Sequence, residues 1–240
     1  MKSNCIPSEA RPPTKAILFD IDGTLIRAPG AGREALARAA ARVFELSLEL
    51  CREQIRRIDF RGATDAAILA RYAELLGHPV MDHPHMIPIY LEELESALAE
   101  VEVEALPGVH DILTILAERG DTHCGLLTGN IRAAARMKLH SVGLQHLAEG
   151  FGGFGDDGIE RQELVEQALL RLAPWGIGSE QTLIIGDTPA DVSAARHWGV
   201  RAIAVATGWS PLADLQQSAP ELLLPNLQDP EPVLGLLDLL

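Results

Sequence analysis

The chain has 240 residues, 47% of them hydrophobic, which is material for one large domain or two modest ones. A formal charge of −14 excludes an electrostatic nucleic-acid binder, which needs a basic face, and no apolar run reaches the length of a membrane span. Three cysteines, Cys5, Cys51 and Cys124, lie far apart; their number and spacing exclude a disulfide framework and a cysteine-rich metal site, and the expected compartment is the reducing cytoplasm.

Residues 1–14 carry no apolar stretch of a signal peptide and are expected to form a flexible tail. The first strand, Ala16-Ile17-Leu18-Phe19, runs into Asp20-Ile21-Asp22-Gly23-Thr24. Ligands of open α/β sheets bind outside the carboxyl ends of strands. Two acids there repel unless a cation lies near or one holds a proton, and Gly23 lets the chain turn directly after them.

The β-α alternation then stops. Gly32–Leu50 reads as one helix, Asp65–Leu76 as a second and Met86–Leu98 as a third, with Pro88 in its first turn or before it. A strandless stretch bounded by Pro29-Gly30 and Pro107-Gly108 is expected to be a helical cap at 27–105. Inside it, Arg61-Gly62-Ala63-Thr64-Asp65 is a sound helix start, with Thr64 as N-cap. Arg33 reads as a solvated helix residue or a cap contact. His78, His83 and His85, set among prolines, lack regular ligand spacing and read as a solvated loop.

From Leu106 the alternation resumes. Helices are expected at 108–119, 130–142, 160–173 and 189–198, and strands at 122–127, 182–186, 200–205 and 222–224. The fold class is α/β: a doubly wound, mostly parallel, Rossmann-like sheet built from 15–26 and 106–240, with a small helical cap inserted. Two of these strands end in polar, glycine-bearing turns, Thr128-Gly129-Asn130 and Gly186-Asp187-Thr188-Pro189-Ala190-Asp191, and Arg161 opens the helix between them.

Asp20-x-Asp22-Gly23-Thr24 followed by Gly186-Asp187-x-x-x-Asp191 resembles the haloacid dehalogenase-like hydrolase superfamily, most of whose members are Mg-dependent phosphatases. The resemblance runs from about Lys15 onward. The Gly62-x-Thr64-Asp65 loop is similar to that of phosphoglycolate phosphatase-like caps, which implies that Thr64 and Asp65 reach the substrate.

The resemblance implies Asp20 as a nucleophile that forms an aspartyl-phosphate. Asp22 is then the general acid and base. Mg²⁺ is held by Asp20, Asp187 and the main-chain carbonyl of Asp22, with Asp191 just outside this set or simply a first-turn acid. Thr128 and the N–H groups around Gly129 and Asn130 hold the phosphoryl oxygens, unless Thr128 or Asn130 only caps the helix.

The family usually places a lysine ahead of the helix before the Gly-Asp strand. This chain has only Lys2, Lys15 and Lys138. Arg161 stands in the right helix, and Lys138 is the alternative site cation. The implied function is Mg-dependent hydrolysis of a small phosphorylated metabolite, by analogy phosphoglycolate. Runner-up readings are a phosphomutase or dehalogenase on the same fold, or a non-catalytic phospho-ligand binding protein. Asp22 speaks against the dehalogenase, and Asp20, Asp22 and Asp187 together against the binding protein. Oligomeric state is not legible.

Overall fold

The computed structural model describes residues 13–78 and 83–240. In chain order the elements are β1 (Lys15–Phe19), β2 (Ile26–Arg27), α1 (Ala31–Phe44), α2 (Leu48–Ile55), α3 (Asp65–Leu75), α4 (His83–Ala99) and β3 (Glu104–Ala105). They continue with α5 (Val109–Arg119), β4 (Thr122–Leu127), α6 (Arg132–His140), α7 (His146–Glu149), β5 (Gly152–Gly153) and α8 (Arg161–Leu172). The last are β6 (Thr182–Gly186), α9 (Pro189–His197), β7 (Arg201–Val205), α10 (Leu212–Gln217), β8 (Leu222–Leu224) and α11 (Glu231–Asp238).

Six strands form one sheet in the order β5-β4-β1-β6-β7-β8, and every pair is parallel. Side chains alternate between its two buried faces. Leu18, Ile184 and Ala202 face α8 and α9, packing on Leu164, Val165, Val192 and Ala195. Ile17, Phe19, Leu183 and Ile185 join the opposite cluster with Ile112 and Leu116 of α5 and with Val233 and Leu237 of α11. Each of the valine, leucine, isoleucine and phenylalanine side chains contributes roughly 1.5–3 kcal/mol by leaving water. After β4 the chain builds outward to β5, then returns to the other flank of β1 with β6. The carboxyl ends of β1, β4 and β6 therefore surround the switch point where a crevice opens.

Helices α1–α4 lie between β2 and β3. These two strands pair antiparallel, Ile26 with Ala105 and Arg27 with Glu104, and so tie the entry of the helical segment to its exit. Leu106 N–H donates to Leu25 O beside the ladder (2.9 Å). Within the segment, Tyr72 is fully buried and its hydroxyl donates to Cys51 O (2.8 Å).

Several expectations need correction. The single helix at 32–50 is two: Glu45 adopts φ 52°, and Ser47 starts α2 by accepting the Leu50 N–H. Pro88 sits inside α4, beyond its first turn. The helix expected at 130–142 is shorter, 132–140. Elements β2, β3, β5, α7, α10 and α11 were not expected. The first twelve residues, with Cys5, and residues 79–82 lie outside the described residues, and His83 and His85, expected in a loop, belong to the first turn of α4.

Candidate active site

Three strand ends build the floor. Asp20 follows β1 directly, and its N–H still donates to Ile185 O of β6 (2.9 Å). Asp187 follows β6, and Thr128 follows β4 with its N–H on Gly153 O (2.9 Å). After Asp20 the chain turns tightly: the N–H groups of Leu25 and Ile26 both donate to Ile21 O (2.9 and 3.0 Å). Gly23 takes φ +90°, and a Cβ on it would lie 2.5 Å from Asp187 Oδ2. Gly208 is tighter still, at 1.6 Å from the same oxygen. Thr207 Oγ1 donates to Gly23 O (2.6 Å) and locks the two loops together. Sequence reasoning missed this Thr207-Gly208 loop, although it repeats the pattern of an apolar strand followed by a hydroxyl and a glycine.

Asp20, Asp187 and Asp191 are all buried, and one oxygen of each lies within 4.8 Å of the others. Arg161, itself 8% exposed, joins the group from the first residue of α8. Its Nη2 meets Asp20 Oδ1 (2.9 Å), also pairs with Asp191 Oδ1, and donates to Leu127 O (3.2 Å). The capping box of Glu160 and Glu163 fixes this end of α8. Asp191 is engaged on its other side: its Oδ2 accepts from Thr188 N–H (3.0 Å) and Thr188 Oγ1 (2.7 Å), which caps α9.

Burial raises the Asp20 carboxyl to about 6, against the pull of Arg161. Among the described residues, no cation lies within ion-pair distance of Asp187. Burial, then the Asp20 and Asp191 charges, push it up to about 9, and its Oδ1 is buried without a hydrogen-bond partner. A partnerless buried oxygen among carboxylates is what a bound divalent cation would satisfy. The all-oxygen donor set suits a hard ion such as Mg²⁺.

A second polar cluster adjoins the first. Lys138 Nζ donates to Asp22 Oδ2 and to Asn130 Oδ1, both at 2.7 Å. Asn130 Nδ2 donates to Asp22 Oδ2 (2.8 Å) and Thr128 Oγ1 (2.8 Å). Lys138 stands about two turns into α6 and reaches back along the helix. Both candidate cations thus enter the site, Arg161 at Asp20 and Lys138 at Asp22. Neither Thr128 nor Asn130 caps α6. Carboxylates from elsewhere do so: Asp65 Oδ2 accepts the Ile131 N–H (2.9 Å) and Asp156 Oδ2 the Arg132 N–H (3.0 Å).

The helical segment closes the other side. Asp65 N–H donates to Gly129 O (2.7 Å), and a Cβ on Gly129 would lie 2.1 Å from Ala63 O. Between the two halves lies a cavity of about 580 Å³, which Asp20, Asp22, Thr128, Gly129, Asn130, Asp187, Arg161, Lys138 and Asp65 all line. Thr64 is not among the lining residues. Its Oγ1 accepts the Ala67 N–H to cap α3 and donates to Ile159 O (2.7 Å), so the structure gives it a structural part where the resemblance implied a substrate contact. Arg33, Phe60, Tyr90 and Trp209 also face the cavity. The sequence leaves Arg33 as a solvated helix residue or a cap contact, and it lines the cavity; Phe60, Tyr90 and Trp209 carry no local sequence signal, because their meeting depends on tertiary packing.

The haloacid dehalogenase-like hydrolase family matches residues 17–205. A phosphoglycolate phosphatase of Rhodospirillum rubrum is 27% identical over 222 residues, 84% of each chain. Another, from Pseudomonas putida, is 26% identical over 94% of this chain and 84% of its own. Among solved structures, a hydrolase from Pseudomonas syringae has TM-score 0.66 at 18% identity, covering 92% of this chain and 98% of that one. A mutant CbbY from Rhodobacter sphaeroides, in complex with xylulose-(1,5)bisphosphate, has TM-score 0.68 at 20% identity, covering 90% and 96%. With the family spanning both halves of the sheet and every strand end of the site, the chain belongs to the haloacid dehalogenase-like hydrolases.

Proposed function

We propose that the chain is a Mg²⁺-dependent phosphatase that hydrolyses a small phosphomonoester through an aspartyl-phosphate on Asp20. The observation that carries this reading is the pairing in one cavity of Asp20, held by Arg161, with Asp22, held by Lys138 and Asn130. Two carboxylates in different environments suit two different tasks. The similarity to phosphoglycolate phosphatases supports a small phosphorylated substrate.

Arg161 fixes Asp20 Oδ1 and leaves the other oxygen to attack phosphorus. Asp22 gives its proton to the departing alkoxide, and then takes one from the water that cleaves the acyl phosphate. Lys138 and Asn130 hold the Asp22 carboxylate in place between these transfers. Thr128 Oγ1 accepts two bonds from Asn130 and keeps its own proton for a phosphoryl oxygen. Asp20, Asp187 and the Asp22 main chain would hold Mg²⁺, which neutralises phosphoryl charge when bound. Asp191 serves by positioning Arg161 and the start of α9.

The test is release of inorganic phosphate from a panel of phosphorylated metabolites with Mg²⁺, compared with Asp20→Asn and with EDTA. Turnover that survives both would refute the reading.

A further inference from the structure

The cavity is far larger than a phosphoryl group alone requires; its roughly 580 Å³ falls in the range that encloses whole small-molecule ligands. Its wall on the side of the helical segment is charged in an uneven way. Asp59 is held at two points by Arg61, through Nη2 (2.6 Å) and Nε (3.0 Å). Among the described residues, Arg33 has no carboxylate within ion-pair distance. Its Nη1 donates to the neutral carbonyl of Ile55 (3.1 Å), and its guanidinium lies 4.0 Å over the Phe60 ring. Burial disfavours its charge, and the Asp59 field offsets this only in part.

A stacked guanidinium loses little freedom on binding an anion and presents a planar fork of donors. The backbone that carries it passes beside Lys138: a Cβ on neighbouring Gly32 would be 3.9 Å from Lys138 Nζ.

We infer that Arg33 is a specificity-determining residue that binds a second anionic group of the substrate, a carboxylate or a further phosphate, on the wall of the cavity that the helical segment supplies. The substrate class is therefore a phosphomonoester of sugar-like size with a second negative charge. This rests on the phosphatase reading and deepens it. The Phe60 face sets the guanidinium plane, and the Ile55 carbonyl fixes one of its nitrogens, so the remaining donors meet the anion. A neutral hydroxyl in its place would leave them unpaired in a partly dry wall.

The experiment uses three compounds of similar size: glucose 6-phosphate as the neutral-tailed probe, 6-phosphogluconate for a carboxylate and fructose 1,6-bisphosphate for a second phosphate. The ratio of kcat/KM for an anion-tailed compound to that for glucose 6-phosphate is compared in wild type, Arg33→Gln and Arg33→Lys. Wild type should favour at least one anion-tailed compound. Arg33→Gln should lower that ratio about tenfold or more, mainly through KM, and Arg33→Lys should restore part of it. Equilibrium binding of the same compounds to Asp20→Asn, and to Asp20→Asn with Arg33→Gln, gives the ratio without turnover. A ratio unchanged by Arg33→Gln, or a wild type that prefers the neutral tail, overturns the inference while the phosphatase reading stands. Where none of the three compounds is turned over, the wider panel of phosphorylated metabolites decides the phosphatase reading, and the binding ratio decides this one.

Discussion

At the scale of single residues, the site is a contest between burial and charge. Asp20→Asn keeps shape and loses nucleophilicity, so turnover should vanish while thermal unfolding stays cooperative; normal phosphate release from a folded variant would sink the covalent route. Arg161→Ala has a double cost. It removes the buried partner of Asp20 and Asp191, worth roughly 3–5 kcal/mol when one member of such a pair is lost. It also removes a charge beside the reacting oxygen, worth about 10²-fold or more in rate. Lys138→Ala leaves the Asn130 bond to Asp22 in place and should have the smaller effect. Equal loss from both variants, measured as kcat/KM with urea unfolding alongside, would contradict the division of labour.

Asp187 yields a sharper test. Its folded value of about 9 lies above its ordinary 3.8, so the chain alone holds a proton there at neutral pH. Binding Mg²⁺ must expel that proton. Titration calorimetry in buffers of different ionisation enthalpy should show release approaching one proton per Mg²⁺ near neutral pH. Asp187→Asn should bind more weakly and release none, and proton-neutral binding to wild type would refute the assignment.

Elements show which parts of the fold are legible in sequence. Strands β1, β4, β6 and β7 are apolar runs closed by turn residues, and the motif acids follow β1 and β6, where the carboxyl ends of central strands leave the apolar interior for the crevice. The break at Glu45 left no mark, since the Ala-, Arg- and Glu-rich helical pattern runs straight across it. The pair Gly152-Gly153 has no strand propensity. It is a strand because Cβ atoms there would collide with Leu126 O (2.2 Å) and Leu164 O (2.1 Å), so only glycine lets α8 and β4 close on it. The motif acids could be read from their places at strand ends, whereas Arg33 depends on Phe60, twenty-seven residues away and on another element.

One element contact carries a pH signature. Burial raises Asp65, at the start of α3, to about 6 from an ordinary 3.8, with Lys138 pulling the other way. The folded chain therefore binds this proton more tightly than the unfolded one. The associated stability is complete below pH 3.8 and is lost as the pH rises through about 6. In Asp65→Asn the amide oxygen can still accept the Ile131 N–H, and the proton linkage is gone. Relative to wild type, the variant should gain about 3 kcal/mol between acid and neutral pH. Urea unfolding across that range reads the difference, and parallel stability curves would show that Asp65 carries no such linkage.

Over the whole molecule, the two halves share one apolar cluster, in which α4 packs on α6, and around the cavity they meet in polar and backbone contacts: Asp65 on Gly129 and Ile131, Thr64 on Ile159, and Gly62 against Ala190. The β2–β3 ladder is the tether between them. Gly129 is where the approach is closest. A methyl there would lie 2.1 Å from Ala63 O, backbone against backbone, so it cannot be absorbed by a rotamer change. Gly129→Ala should therefore displace the helical segment without unfolding the sheet. Misplacement on the order of 1 Å costs about 10²-fold in rate, and amide exchange in α3 should quicken while that in β1 and β6 stays slow. Gly199→Ala supplies the comparison for stability lost away from the site: its φ of +66° strains an alanine, but nothing lies within 4 Å of the new methyl. It should cost about 1 kcal/mol of stability and leave kcat/KM alone. If both variants lose the same activity, a general loss of stability is the cause, and the fit of the helical segment over Gly129 does not govern the rate.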